Sequence, residues 1–164
     1  MRSNTLSILL VLALVLLPTS LLATTYYVDF ATGSDSNDGL STNTPFMRAP
    51  GDDSATNNPA AVVLQAGDTV VFRGGITYNG RVDADWSGAP GSLISYVSGH
   101  TVGWGTSRAV IDGSGLSLDW NAEPSHRGMI SIPSSSYIRV QGMEITNTPE
   151  LTGAVGYGGG IAWV

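Results

Sequence analysis

The chain has 164 residues, a length that sets the prior at one domain with room for a sizeable core. Seven Arg and no Lys stand against ten Asp and three Glu, and the net charge of −6 argues against nucleic acid or an anionic membrane surface as the main partner, because both reward a cationic face. Cys is absent, which excludes disulfides and thiolate metal sites, and twenty-one Gly favour short strands with frequent turns over long helices.

Residues 1–23 read as a secretory signal peptide. Arg2 is their only charge, Leu6 to Leu17 is an almost unbroken apolar run, Pro18 to Ser20 breaks it, and Ala23 is a small residue at the exit. The run is short for a membrane span, which needs about 20 apolar residues. Leu21, near the cut, is bulkier than the usual Ala, and an uncleaved anchor is the competing reading. The expectation is export to a secreted or periplasmic location, with no membrane association after cleavage.

After residue 23 the apolar residues come in short bursts, each closed by Gly, Asn, Ser or Pro. Thr25–Phe30, Thr69–Arg73, Leu93–Val97, Ala109–Asp112, Met129–Ile132, Tyr137–Val140 and Met143–Thr146 are expected strands, rich in Val, Ile and Tyr. One short helix is expected over Pro59–Ala66, with Asn58 capping it, Pro59 at its first helical position and Gly67 ending it. The polar stretch Arg48–Asn58 before that helix reads as an inserted loop.

The segment Tyr137–Gln141 gives the sharpest geometry. Ile138 and Val140 point to one side and Arg139 and Gln141 to the other; Gly142 permits a corner, after which Met143 and Ile145 resume the apolar side. A single Gly is too short to reverse the chain as a hairpin does, so the wall bends. Repeated short strands at uneven spacing, joined by such corners, fit a β-solenoid better than a sandwich of hairpins. The fold class expected is therefore all-β.

Several segments resemble the N-terminal part of right-handed parallel β-helix proteins of the pectate-lyase-like superfamily. They are Thr25-Tyr26-Tyr27-Val28-Asp29, the loop Gly33 to Gly39 with Pro45-Phe46, Ala66 to Gly75 with Tyr78, Gly88 to Tyr96, Ala109 to Gly115 and Tyr137–Asn147. The resemblance covers residues 24–164 and implies the first few rungs of a coil of three parallel sheets, with the short helix capping the open end. The chain stops on an apolar strand, Ile161–Val164, where members of the superfamily continue, so it is expected to be the N-terminal portion of a longer protein.

Candidate chemistry is sparse. Asp29, Asp35, Asn37 and Asp38 resemble the oxygen-rich half of a calcium loop, and Ca²⁺ takes six to eight oxygens. The other reading is that they make side-chain-to-backbone turns that fold the entry loop. Arg81, Asp83 and Asp85 alternate with Val82, Ala84 and Trp86; on a strand both carboxylates share an outer face about 6.6 Å apart. That pair suits acid–base work on a sugar, or else it is a solvated acidic face. Trp104 and Trp120 could stack on sugar rings or fill satellite core, and Arg139 and the His126-Arg127 pair could contact substrate or solvent.

The resemblance implies a carbohydrate-active protein, a polysaccharide lyase with Ca²⁺ or a glycoside hydrolase, whose catalytic rungs lie further along than this chain. The partner expected is a polysaccharide or cell-surface glycan. The alternative from a different class is a non-catalytic β-helix adhesin that binds glycans along its ridge.

Overall fold

The computed structural model describes residues 22–119, 128–149, 151–152 and 159–163. Twelve short strands account for most of the regular structure: β1 (Thr25–Val28), β2 (Thr69–Phe72), β3 (Thr77–Asn79), β4 (Val82–Asp83), β5 (Ile94–Ser98), β6 (Val110–Asp112), β7 (Leu118–Asp119), β8 (Gly128–Ile132), β9 (Ile138–Gln141), β10 (Glu144–Thr146), β11 (Leu151–Thr152) and β12 (Gly159–Trp163). Every pairing between these strands is parallel. The sheets are ordered β1-β2-β5-β9, β3-β6-β10, β4-β8-β12 and β7-β11. The chain thus visits one sheet after another and returns to the first, so that neighbours in space are distant in sequence.

Register explains the burial. Tyr26, Val70, Tyr96 and Val140 are aligned across the first sheet, and Tyr78, Ile111 and Ile145 across the second. These columns face inward with Val28, Phe72, Val82, Ile94, Met129 and Ile132, most of them almost fully buried. Each such side chain contributes about 1.5–3 kcal/mol of transfer free energy, offset by the entropy of ordering the chain. Inside, the Tyr78 ring meets Phe72 edge-on at 5.0 Å, and its hydroxyl donates to the Val28 carbonyl at 2.7 Å.

The bend at Gly142 is as the alternation predicts. Ile138 and Val140 are half-buried, Arg139, Gln141 and Glu144 are exposed, and Gly142 takes φ +73°, a conformation that a side chain disfavours. The helix differs from expectation. Helix α1 spans Asn57–Ala61, five residues, and Val62 leaves it in extended conformation. The reason is Leu64, which is 2% exposed: residues beyond Ala61 extend so that it reaches the core. Asn58 does not cap the helix; its amide donates to the carbonyls of Ser36 and Asn37 and ties the helix to the entry loop.

The stretch from Arg48 onward is also more than a polar insertion. Ala49 and Pro50 are buried, and the loop lies along the free edge of β4, where Gly51 O accepts from Asp83 N.

Candidate functional site

The outer face of the β1-β2-β5-β9 sheet presents a row of residues fixed by register: Thr25, Thr69, Ser95 and Arg139. Two open depressions lie along it. One, of about 480 Å³, is lined by Thr25, Tyr27, Thr69, Val71 and Trp104 among others; the second, of about 580 Å³, by Gly91, Ser92, Ser95 and Arg139 among others. Trp104 is half-buried and meets the Tyr27 ring edge-on at 5.3 Å. Its backbone is held on both sides, the N–H donating to Gly99 O at 2.8 Å and the carbonyl accepting from Gly74 N at 3.0 Å. Gly103 and Gly105, both at positive φ, make the turn that projects it.

This face brings together two of the three substrate-binding candidates. Trp104 offers an aromatic surface, Arg139 is an exposed cation, and threonine and serine hydroxyls lie between them as donors and acceptors. None of the described residues lining either depression is an Asp or Glu, so no carboxylate pair is among them. The third candidate, Trp120, lies outside the described residues, as does the His126-Arg127 pair.

The four residues proposed for calcium are separately engaged. Asp29, 1% exposed, accepts hydrogen bonds from the N–H groups of Ala31 and Thr32, from the Thr32 hydroxyl at 2.5 Å and from Arg73 Nη1 at 2.6 Å. Burial opposes its charge, yet these donors together hold its carboxyl below the usual range. Asp35 accepts from Arg48 N with one oxygen and from Thr56 N and Oγ1 with the other. Asn37 donates to Pro45 O, and Asp38 accepts from Leu40 N and Thr44 Oγ1. The carboxylate oxygens are directed to protein donors and do not converge on a common point, and no group of three acidic or histidine side chains poised for a metal occurs among the described residues. The residues present do not fit a calcium cage; they fold the entry loop.

Asp35 has a further consequence. Its two oxygens clamp both ends of the segment from Arg48 to Thr56, and that segment runs along the free edge of β4, where Asp83 N donates to Gly51 O. Asp83 N donates to Gly51 O at 2.7 Å, and Gly51 sits at φ +86°, where an added Cβ would collide with the Asp83 carbonyl. Arg48 pairs with Asp52 at 3.1 Å, and Arg81 pairs with Asp53. A polar cavity of about 190 Å³ lies at this corner, lined by Arg48, Asp52, Asp53, Asn79 and Arg81.

Under the loop the expected solvated acidic face is absent. Val82 and Ala84 point into the core as predicted, but only Asp85 of the two carboxylates is exposed; Asp83 is 4% exposed. Its Oδ1 has no hydrogen-bond partner, and burial, together with Asp85 and Asp52, outweighs Arg81 and pushes its carboxyl up to about 7. Sequence reasoning singled out Arg81 and Asp83 but missed Asp52 and Asp53, which no local pattern links to them.

No family model matches the chain, and no curated protein matches its sequence. Solved structures do match. The selenomethionine derivative of a GH136 lacto-N-biosidase from Eubacterium ramulus aligns with a TM-score of 0.60 at 19% identity, over 85% of this chain and 24% of its own. The native form of that enzyme gives 0.57 at 18% identity, over 81% and 21%. A rhamnogalacturonan lyase gives 0.51 at 23% identity, over 82% and 31%. At these identities the likeness shows the fold alone. The chain spans less than a third of the length of each.

Proposed function

We propose that this chain is the N-terminal part of an exported, carbohydrate-active right-handed parallel β-helix protein, and that a glycan lies across the outer face of its β1-β2-β5-β9 sheet. The observation that carries this reading is the aligned row of Thr25, Thr69, Ser95 and Arg139 beside the braced ring of Trp104. A glycan unit stacks its apolar C–H face on an aromatic ring and meets hydroxyls and a guanidinium with its own hydroxyls. The structural neighbours, a glycoside hydrolase and a polysaccharide lyase by name, support a carbohydrate-active role over a non-catalytic glycan-binding adhesin.

In this reading the described residues bind and orient the glycan, and bond cleavage belongs to residues that this portion does not supply. The test is calorimetric titration of the purified chain with rhamnogalacturonan and with a glycan ending in lacto-N-biose. Binding that weakens about tenfold in Trp104→Ala, which is about 1.4 kcal/mol, is the expected result. Unchanged affinity in that variant, or no binding to either glycan, overturns the reading.

A further inference from the structure

Two buried polar atoms at the β4 corner lack partners and are chemically complementary. Arg81 Nε is a donor without an acceptor, and Asp83 Oδ1 is an acceptor without a donor. Arg81 directly precedes β4 and Asp83 ends it, and in extended backbone a spacing of two puts side chains on the same side. Arg81 meanwhile spends its terminal nitrogen on Asp53, whose side chain is 46% exposed. A guanidinium has five donors in a rigid fork, so a turn about its own axis exchanges one acceptor for another.

We propose that Arg81 is a proton-coupled switch: it holds Asp53 while Asp83 carries its proton, and turns its Nε–H onto Asp83 Oδ1 when that proton passes to water, loosening the 48–54 loop. The loop is tied to the corner by Arg81–Asp53 on one side and by Gly51 O on Asp83 N on the other. Drawing Arg81 inward removes the first tie and puts charge beneath the second.

The surroundings offer one inward cation. From the loop, Asp52 faces Asp83 with a repelling charge and is itself paired to Arg48. From the same strand region Asp85 repels as well. From β5 comes Tyr96, a buried hydroxyl without a partner that burial, Asp85 and Asp83 keep protonated, a neutral donor that brings no charge to offset an ionised Asp83. From β8 the register neighbour is Ser131, whose hydroxyl turns back to the Gly128 backbone. Among the described residues, Arg81 is the cation that reaches an ionised Asp83, and the shift of Asp83 to about 7 places the exchange near neutral pH.

The experiment is an NMR titration of the whole chain from pH 5 to 9, following the Asp83 carboxyl carbon and the Arg81 Nε–H proton. Both signals are expected to share one midpoint near 7. Asp53→Asn, at an exposed position, frees Arg81 for Asp83 and is expected to move that midpoint down. Exchange of the Asp83 amide is expected to rise more steeply with pH in the native chain than in Asp83→Asn. An Arg81 Nε–H signal that stays flat through the Asp83 titration, or an Asp83 midpoint unmoved by Asp53→Asn, overturns the proposal.

Discussion

The outer faces of β1-β2-β5-β9 and of β4 rest on the same kind of parallel backbone and end in opposite conditions. On the first, Thr25, Thr69, Ser95 and Arg139 stand in a row beside Trp104, with open depressions and no carboxylate among their described lining residues. On the second, a segment clamped by Asp35 lies against the strand with Asp83 buried beside it, the Arg48–Asp52 pair mostly buried and the Arg81–Asp53 pair reaching solvent through Asp53. The difference teaches that what covers a sheet face decides its chemistry. The open face leaves Thr25 and Arg139 solvated, with Thr69 partly exposed and Ser95 buried between them. A covered face strips water from its charges and turns them into an internal balance of protons and pairs.

The most severe way to break that contrast is to unclamp the cover. Asp35→Ala removes the acceptor for Arg48 N, Thr56 N and Thr56 Oγ1 at once, and is expected to cost about 3 kcal/mol in urea unfolding. A loss below about 0.5 kcal/mol would show that the segment is held by other means. Gly51→Ala strikes the same cover from within, through its positive φ and the crowding of the Asp83 carbonyl, with an expected cost of about 2 kcal/mol.

Asp83→Asn sharpens the comparison without lifting the cover. The folded carboxyl titrates at about 7 and the unfolded one near 3.9, so the native chain carries no burden below about pH 4, a growing one up to 7, and the whole of it above. The Asn variant should therefore be more stable than the native chain at pH 8, by about 1–3 kcal/mol, and no more stable at pH 4. Thermal unfolding at the two pH values checks both halves of the statement. Asp29 has the opposite sign: its lowered carboxyl adds stability that is present at neutral pH and lost as the pH falls through the acid range. The smallest effect belongs to the open face, where Arg139→Ala should leave stability within about 0.5 kcal/mol and weaken glycan binding about threefold.

Much of the strand pattern is legible in the sequence because alternation is local. Ile138, Val140 and Ile145 declare the inner side, Arg139 and Glu144 the outer, and Gly142 the corner, with no knowledge of any other strand. Trp104 and Arg139 are legible as candidates one at a time, but their sharing a face is not. That depends on Ser95 standing beside Arg139 and on Trp104 packing against Tyr27. Local signals carry the short helix on to Gly67, whereas the need of Leu64 for the core ends it at Ala61. The covering of Asp83 has no local signature at all. An alternating Arg81, Asp83, Asp85 reads as a wet surface until Gly51, far back in the chain, is known to lie on it.

Amide-shift mapping of the isotope-labelled chain, titrated with rhamnogalacturonan and then with a lacto-N-biose-terminated glycan, tests the contrast between the two faces most directly. The expected pattern is a run of perturbed amides at Thr25, Tyr27, Thr69, Ser95 and Arg139, with the indole N–H of Trp104 moving furthest and Arg81 to Ala84 unmoved. Shifts centred on Arg48, Asp52 and Arg81 with a silent Trp104 would contradict it.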